Sequence, residues 1–421
     1  MKRKIYPAGG QGEVEIPSSK SDAHRILIAA ALSEAPTEVV IRGMSKDIEA
    51  TMNCLRALGS EIKNTGKHVW RIEPIWPARA GRPQLFCGES GSTLRFLLPV
   101  AAAVAEEFSI TGEGRLPDRP ITELTEQMEG KGCTFSAEKL PFRVSGQLEG
   151  GVFELPGNIS SQYITGLMFA LPLVSEDSRI ILSTALESRA YVDMTITTLE
   201  QFGICITKTD SGYFIPGRQK YCSPGLAEAE GDWSSAAFYL ALGAIKGPVI
   251  CKGLKTDTRQ ADYAMLELLR QFGAEVRIDK DITINRGKLG GIEIDAAEIP
   301  DLVPILSVVA GAAEGVTRIF HAERLRIKES DRLAAMFDGL SRAGVQVAEQ
   351  PDGLIISGGS AVPAGPVRVS GCNDHRIVMA MAVAAAALGR EIIIDGTEAV
   401  EKSYPAFFSA WEQTGGKTDV I

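Results

Sequence analysis

Six times along the chain a short polar or glycine-rich opening runs into an Ala-rich apolar stretch. The stretches are SSKSDAHRILIAAALS from Ser18, GESGSTLRFLLPVAAAVA from Gly88 and GNISSQYITGLMFALPLV from Gly157. GDWSSAAFYLALGAI from Gly231, PDLVPILSVVAGAA from Pro300 and NDHRIVMAMAVAAAA from Asn373 follow. Anchored at Ser19, Ser90, Ser160, Asp232, Asp301 and Asp374, they recur at intervals of 71, 70, 72, 69 and 73 residues. A second series is amphipathic, each stretch ending at a glycine before a short strand-like run. Those glycines are 59, 132, 203, 273, 344 and 415, at intervals of 73, 71, 70, 71 and 71. A glycine just past a helix is a C-cap signal. β-Branched runs such as Glu38–Arg42 and Glu391–Asp395 supply strands. The pattern predicts six units of roughly 70 residues, each mixing strands with two helices.

Six like units in 421 residues suggest two domains of three units. The mid-chain break falls near Gly225 to Asp232. The expected domains are residues 18–228, and residues 1–17 joined with 229–421. Two globules of this kind imply a cleft between them, a common place for ligands.

Composition narrows the function classes. Apolar residues make up 45% and charged residues 23%, as in soluble globular proteins. The longest apolar runs, such as Phe96–Ala105, stop near ten residues, and a membrane span needs about 20. No apolar signal region follows the basic N-terminus. The seven cysteines are scattered without a C-x-x-C pair, which suits reduced thiols in a cytoplasm. The four histidines lack metal-ligand spacing, so no metal is expected. A net charge of −9 argues against nucleic acid as a partner. A monomer without a cofactor is expected.

The six polar openings sit at predicted helix N-termini, where free N–H groups and the dipole favour anions. Each opening alone reads as an ordinary cap. Six together, with Lys20, Arg25, Arg95 and Arg376 among them, read as an anion receptor that closes on its ligand.

At this point the motifs resemble a known family. They are Lys20-Ser21 with Arg25, Gly88-x-x-Gly91-x-x-x-Arg95, Asp118-Arg119-Pro120 and Ser160-Ser161-Gln162. Gly231-Asp232-x-Ser234-Ser235-Ala236, Lys328-Glu329-Ser330-Asp331-Arg332, Asp374-His375-Arg376 and Lys402-Ser403-Tyr404-Pro405 follow in order. Over nearly the whole chain the sequence resembles the 5-enolpyruvylshikimate-3-phosphate synthases. That resemblance implies an α/β (α+β) fold of two similar domains, each of three βαβαββ-type repeats in an inside-out α/β barrel. It places the active site in the interdomain cleft. The implied reaction joins shikimate 3-phosphate to phosphoenolpyruvate and releases phosphate, in the pathway to aromatic amino acids.

Both substrates are anions, which guanidinium and ammonium groups suit. By resemblance, Lys20, Arg119, Arg332, Arg376 and Lys402 hold phosphoenolpyruvate, with Gly91 giving it access to the backbone and Gln162 near both ligands. Ser21, Arg25, Ser160, Ser161, Ser188, Tyr191 and Lys328 hold shikimate 3-phosphate, together with Lys20, Gln162 and Asp301. Asp301, Glu329 and Lys20 are the implied proton-transfer groups, with the choice of main base between Lys20 and Asp301 open. Read without the family, several have plainer roles. Asp301 is an N-cap, Lys402 a solvated lysine, Tyr191 a core residue, and Asp331 a salt-bridge partner. Arg95 reads as a structural salt bridge. His375 reads as orienting Arg376.

The related enolpyruvyl transferases acting on UDP-N-acetylglucosamine use a cysteine shortly before an Arg-Pro pair. The segment Gly112–Pro120 has none, and Cys133 reads as a small buried residue. A scaffold that had lost catalysis would be expected to lack Lys20, Asp301, Glu329 or an arginine. No nucleotide-binding glycine motif occurs in the required context. Two departures stand out: Glu89 where many relatives have Asn, and Arg324 where some place Asn. Glu89 is expected to cap its own helix and orient Arg119.

Overall fold

The computed structural model describes residues 1–76, 81–359 and 365–421. The chain divides into two compact units, residues 20–229 and residues 1–19 with 230–421.

The repeat is seen cleanly in residues 151–215. Strand Gly151–Leu155 leads through helix Ser161–Ala170 to strand Ser178–Leu182. Helix Arg189–Gln201 then leads to the hairpin Thr207–Thr209 and Gly212–Ile215. The first two strands pair in parallel, with Phe153 opposite Ile180. A parallel pair needs a crossover, which the first helix provides. The second strand also pairs antiparallel with Gly212–Ile215, placing Ile180 opposite Tyr213. Alternate residues of these strands are buried, as a one-sided sheet requires.

Among the described residues the strands form six four-stranded sheets with this same order. Three of the six borrow strands from far along the chain. Leu226–Glu228 pairs in parallel with Thr37–Val40 and so completes the first repeat of the unit 20–229. Gly12–Glu15 completes the repeat that contains Val249–Lys252. Lys2–Ile5 inserts between Ile392–Asp395 and Thr418–Val420 in the last repeat. The N-terminal nineteen residues therefore belong to the C-terminal unit because they are strands of its first and last sheets.

The opening helices are apolar on nearly every face, and such helices must be enclosed. Each unit has one hydrophobic core built around its three opening helices. Helix Gly91–Val104 packs on helix Ser161–Ala170 with unusual closeness. Pro99 has no N–H to give to the carbonyl of Arg95, four residues earlier. Gly166 lies directly against that carbonyl, and a Cβ there would overlap it. Only glycine permits this approach. Gly166→Val should destabilise the protein by about 1–3 kcal/mol, as overpacking of a tight core does. Thermal denaturation would check this, and an unchanged melting temperature would show that the helices separate freely.

No helix among the described residues is long and apolar enough to cross a membrane.

Candidate functional site

In the unit 20–229, polar side chains stand at the starts of five helices. Ser90 caps helix Gly91–Val104, its hydroxyl accepting from the Thr93 N–H at 3.2 Å. Ser160 caps helix Ser161–Ala170 by accepting from Gln162 N at 3.3 Å. The cap of the Gly91 helix is thus Ser90 and not Glu89, which corrects the expectation from sequence. The carboxylate of Glu89 instead lies over the Cα of Gly114, in the place a Cβ would take. Gly114 has φ +59°, a second reason for glycine there.

Gly91 sits beneath two guanidinium groups. A Cβ on it would stand 2.7 Å from Arg95 Nη1 and 2.8 Å from Arg119 Nη1. Arg95 donates from Nη1 to Gln162 Oε1 at 2.9 Å and from Nη2 to the Pro120 carbonyl at 2.7 Å. Both of these acceptors are neutral. Gln162 in turn donates from Nε2 to Ser92 Oγ at 2.9 Å. Arg119, Gly91 and Gln162, all expected at the phosphoenolpyruvate end, are thus brought together, with Arg95 as their brace.

Arg25 is buried and ties two helix starts to each other. Its Nε donates to Thr195 Oγ1 at 2.9 Å, Nη1 to the Ser21 carbonyl at 2.6 Å and Nη2 to the Tyr191 carbonyl at 2.8 Å. Burial pulls its pKa down to about 10, so it remains charged at neutral pH. Ser21, Arg25 and Tyr191 therefore form one group. Tyr191 is half-buried and not a core residue. Ser188, at the N-cap position of helix Arg189–Gln201, is held at φ +52°. Non-glycine residues rarely occupy that region, and they cluster at functional sites.

Lys20 opens the first helix, and its Nζ meets Asp47 Oδ2 at 2.8 Å. Asp47, in the first turn of helix Lys46–Leu58, was not singled out from sequence. Nothing in its spacing distinguishes it from a helix-start carboxylate. One turn on from Lys20, His24 Nδ1 lies 2.7 Å from Thr51 Oγ1, which is 2.7 Å from Thr93 Oγ1. Burial holds the His24 imidazole well below its usual pKa, with Lys20 and Arg25 adding to the shift, so it is neutral. This chain of hydroxyls fixes Lys20's helix against the Ser90 cap.

In the other unit the charges are denser. Arg332 begins helix Arg332–Ala343, behind an Asp331 cap that accepts from Ala334 N at 3.0 Å. Asp331 also pairs with Arg326 at 3.0 Å. Arg332 is 2% exposed and meets three carboxylates: Asp301 from Nη1, Glu329 from Nη2 and Asp374 from Nε, each at 2.8 Å. Arg376 grips Asp301 as well, from Nη2 to Oδ2 at 2.9 Å and from Nη1 to its carbonyl at 3.2 Å. Asp374 caps helix His375–Ala387 through Arg376 N at 2.9 Å. His375 Nδ1 stands 3.9 Å from Asp374 Oδ1. Asp301 thus holds the Arg376 side chain in place.

Asp301 lies in the single turn Pro300–Leu302 that precedes helix Val303–Ala312. The N-cap positions of the turn and of the helix are Ile299 and Leu302, so Asp301 is not the N-cap of the plainer sequence reading. Burial alone would raise its pKa. Arg376, Arg332 and Lys328 outweigh burial and hold it far below the usual carboxylate range. Lys402 is also buried, and its Nζ donates to the Asn373 carbonyl at 2.6 Å, so it is no surface lysine. Cys372 and Asn373 both have φ +51°, a strained pair that aims this carbonyl. Arg324 donates from Nη2 to the Ala297 carbonyl at 2.7 Å.

Buried Cys133 is a poor nucleophile. Burial, with a lesser push from Glu149, raises its thiol to about 12.

Asp374 thus has two structural tasks, capping a helix and balancing a buried guanidinium. Asp374→Ala should cost about 3–5 kcal/mol, because Arg332 would keep its charge in the interior with a partner gone. Asp374→Asn retains the capping oxygen and should cost less. Denaturant unfolding of both variants would measure the difference. Equal losses would assign the effect to the missing charge alone, and an Asp374→Asn variant as stable as wild type would assign it to the cap.

The EPSP synthase (3-phosphoshikimate 1-carboxyvinyltransferase) family matches residues 7–411. The chain is 40% identical over 419 residues to the 3-phosphoshikimate 1-carboxyvinyltransferase of Clostridium kluyveri, covering 99% of this chain and 97% of that one. It is 42% identical to that of Clostridium acetobutylicum over 419 residues, covering 98% and 97%. Among solved structures, the EPSP synthase of Acinetobacter baumannii superposes with a TM-score of 0.83 at 26% identity, over 100% of both chains. The enolpyruvyl transferase NikO of Streptomyces tendae has a TM-score of 0.79 at 17% identity, a likeness of fold. The chain belongs to the EPSP synthase family. Its reaction is transfer of the carboxyvinyl group of phosphoenolpyruvate to the 5-hydroxyl of shikimate 3-phosphate, with release of phosphate.

Proposed function

We propose that the two polar clusters together supply the groups for this reaction. Ser21, Arg25, Ser160, Ser161, Gln162, Ser188, Tyr191 and Lys328 hold shikimate 3-phosphate. Lys20, Gly91, Arg119, Arg332, Arg376 and Lys402 hold phosphoenolpyruvate, with Gln162 near both substrates. Asp301, Glu329 and Lys20 move protons. The observation that carries this reading is the sharing of Asp301 between Arg332 and Arg376.

Those arginines are the groups a phosphate and a carboxylate would seek, and in the protein their donors already face carboxylates. An incoming phosphoenolpyruvate competes with Asp301 and Glu329 for the same N–H groups. As the substrate draws the guanidiniums to itself, Asp301 loses the positive charge that suppresses its basicity. Its pKa then rises toward the range in which it accepts a proton from the 5-hydroxyl. Base strength is therefore coupled to occupancy by the anion. This favours Asp301 over Lys20 as the acceptor of the hydroxyl proton.

The chemistry balances as follows. Carbon 3 of phosphoenolpyruvate takes a proton, and carbon 2 becomes electrophilic. The 5-hydroxyl oxygen bonds to carbon 2 and gives its proton to Asp301. In the tetrahedral adduct the carbon–phosphate oxygen bond breaks, and the methyl group returns one proton. Glu329, bonded to Arg332 at 2.8 Å, suits the exchange at the methyl carbon. The arginines suit the phosphate as it leaves.

Asp301→Asn and Glu329→Gln keep size and hydrogen bonding but remove proton acceptance. Each should lower kcat by about 10²- to 10⁴-fold, with much smaller effects on shikimate 3-phosphate binding. Single-turnover phosphate release would measure this, and near-normal turnover in either variant would withdraw that residue's role.

Gly91→Ala should raise the KM for phosphoenolpyruvate and weaken further the inhibition by glyphosate, an inhibitor that the family resemblance puts in the same pocket. The new methyl group would press on the Arg95 and Arg119 guanidiniums, which must shift by a few tenths of an ångström or more. Inhibition unchanged from wild type would mean that these arginines yield without consequence for the pocket.

A further inference from the structure

Asp262 is a buried carboxylate outside the residues considered so far. It lies in the turn Ala261–Ala264 of the unit 1–19/230–421 and is 2% exposed. The Ser234 hydroxyl, in the first turn of helix Trp233–Lys246, donates to its Oδ2. Its Oδ1 is buried with no hydrogen-bond partner among the described residues. An ionised carboxylate with one oxygen so placed bears a heavy desolvation cost.

The segment around it is firmly set. Gln260, two residues earlier, accepts from Trp233 N at 3.1 Å and donates to the Gly231 carbonyl at 2.9 Å. Tyr263 meets Trp233 edge-on with ring centroids 4.9 Å apart. The carboxyl therefore cannot turn away to solvent. The charged groups whose fields reach it are Asp301 from the turn before helix Val303–Ala312, Arg376 from helix His375–Ala387 and Asp232 from the cap of helix Trp233–Lys246.

We infer that Asp262 is a positioning residue for the phosphoenolpyruvate clamp, serving in its uncharged form, and that its ionisation weakens anion binding. This rests on the proposed role of Arg332 and Arg376. A second negative charge beside Asp301 would draw Arg376 toward the protein's own carboxylates and repel the substrate. A neutral carboxyl fills the same space and holds Ser234 without that field. The titration falls where it matters. Burial, helped by the Asp301 charge, raises the Asp262 pKa to about 7, against the pull of Arg376 and the Ser234 hydrogen bond. Below about 7 the group is neutral, and above it the charge appears.

The test is steady-state kinetics of the purified enzyme from about pH 5.5 to about pH 9. In wild type the KM for phosphoenolpyruvate should rise on the order of tenfold through a limb near neutrality, the equivalent of about one pKa unit of coupling. Asp262→Asn is neutral at every pH and should lose that limb, with kcat changed less than KM. The substrate's own ionisation affects both enzymes alike and cancels in their ratio. Ser234→Ala removes a hydrogen bond that favours the charged form, so its limb should move to higher pH. That variant decides the matter if Asp262→Asn does not fold. An Asp262→Asn profile superimposable on wild type, a loss confined to kcat, or a Ser234→Ala limb unmoved or shifted to lower pH would each overturn the inference. Arg376→Lys separates this from the clamp itself. If it leaves the KM unchanged, the clamp reading fails. If it raises the KM while the Asp262→Asn profile stays that of wild type, only the role of Asp262 fails.

Discussion

Arg332 carries its positive charge almost wholly out of solvent, and three carboxylates from three separate segments meet it there. An ion in that position is tolerable only with excellent geometry and every partner in place. Burial opposes its charge, yet Asp374, Glu329 and Asp301 more than offset that and raise its pKa above the usual arginine value. Much of the unit 1–19/230–421 follows from this requirement. Asp374 must stand at the head of one helix, Asp301 in the turn before another, and Glu329 three residues ahead of the arginine itself. The repeat supplies these places because successive units bring their opening helices together, as their shared core attests.

The same architecture in the unit 20–229 holds fewer charges and more hydroxyls. Arg25 and Arg95 donate to carbonyl, amide and hydroxyl oxygens. A guanidinium with neutral partners keeps most of its field for a ligand. One surrounded by carboxylates must be released first. The first arrangement suits standing attraction of an anion. The second suits a response to one, since on the proposed mechanism the carboxylate freed in the exchange is itself a reagent.

Legibility in the sequence followed physical range. The six repeats showed because burying an opening helix imposes an apolar run, and the period of the fold carries it through the chain. The glycine C-caps at Gly59, Gly273 and Gly344 showed because a left-handed residue after a helix all but demands glycine. The borrowed strands were only partly legible. Residues 1–17 could be given to the distant half, but that Lys2–Ile5 and Gly12–Glu15 serve different sheets depends on pairing across about 240 to 390 residues, which no local pattern encodes. The family motifs brought the arginines and Asp301 to notice, but not what each touches. Arg95 looked like half of a salt bridge and holds Gln162. Glu89 looked like a cap, yet Ser90 next to it makes the bond. Asp47 and Asp262 escaped because a helix-start aspartate is common and burial cannot be read from its letter.

The carboxylates around Arg332 also answer why a site for two anions tolerates so much negative charge. Were the arginines bare, each would have to be kept desolvated at a cost of several kcal/mol. Carboxylates that can yield offset that cost in the protein, and on the mechanism proposed above they return as proton acceptors when substrate takes their place. Asp301 serves both ends of the exchange, since its two oxygens face two different arginines. Substituting a fixed neutral partner would preserve the scaffold and forfeit the coupling. On that proposal, the acid–base group is selected by the same geometry that makes the buried guanidinium stable.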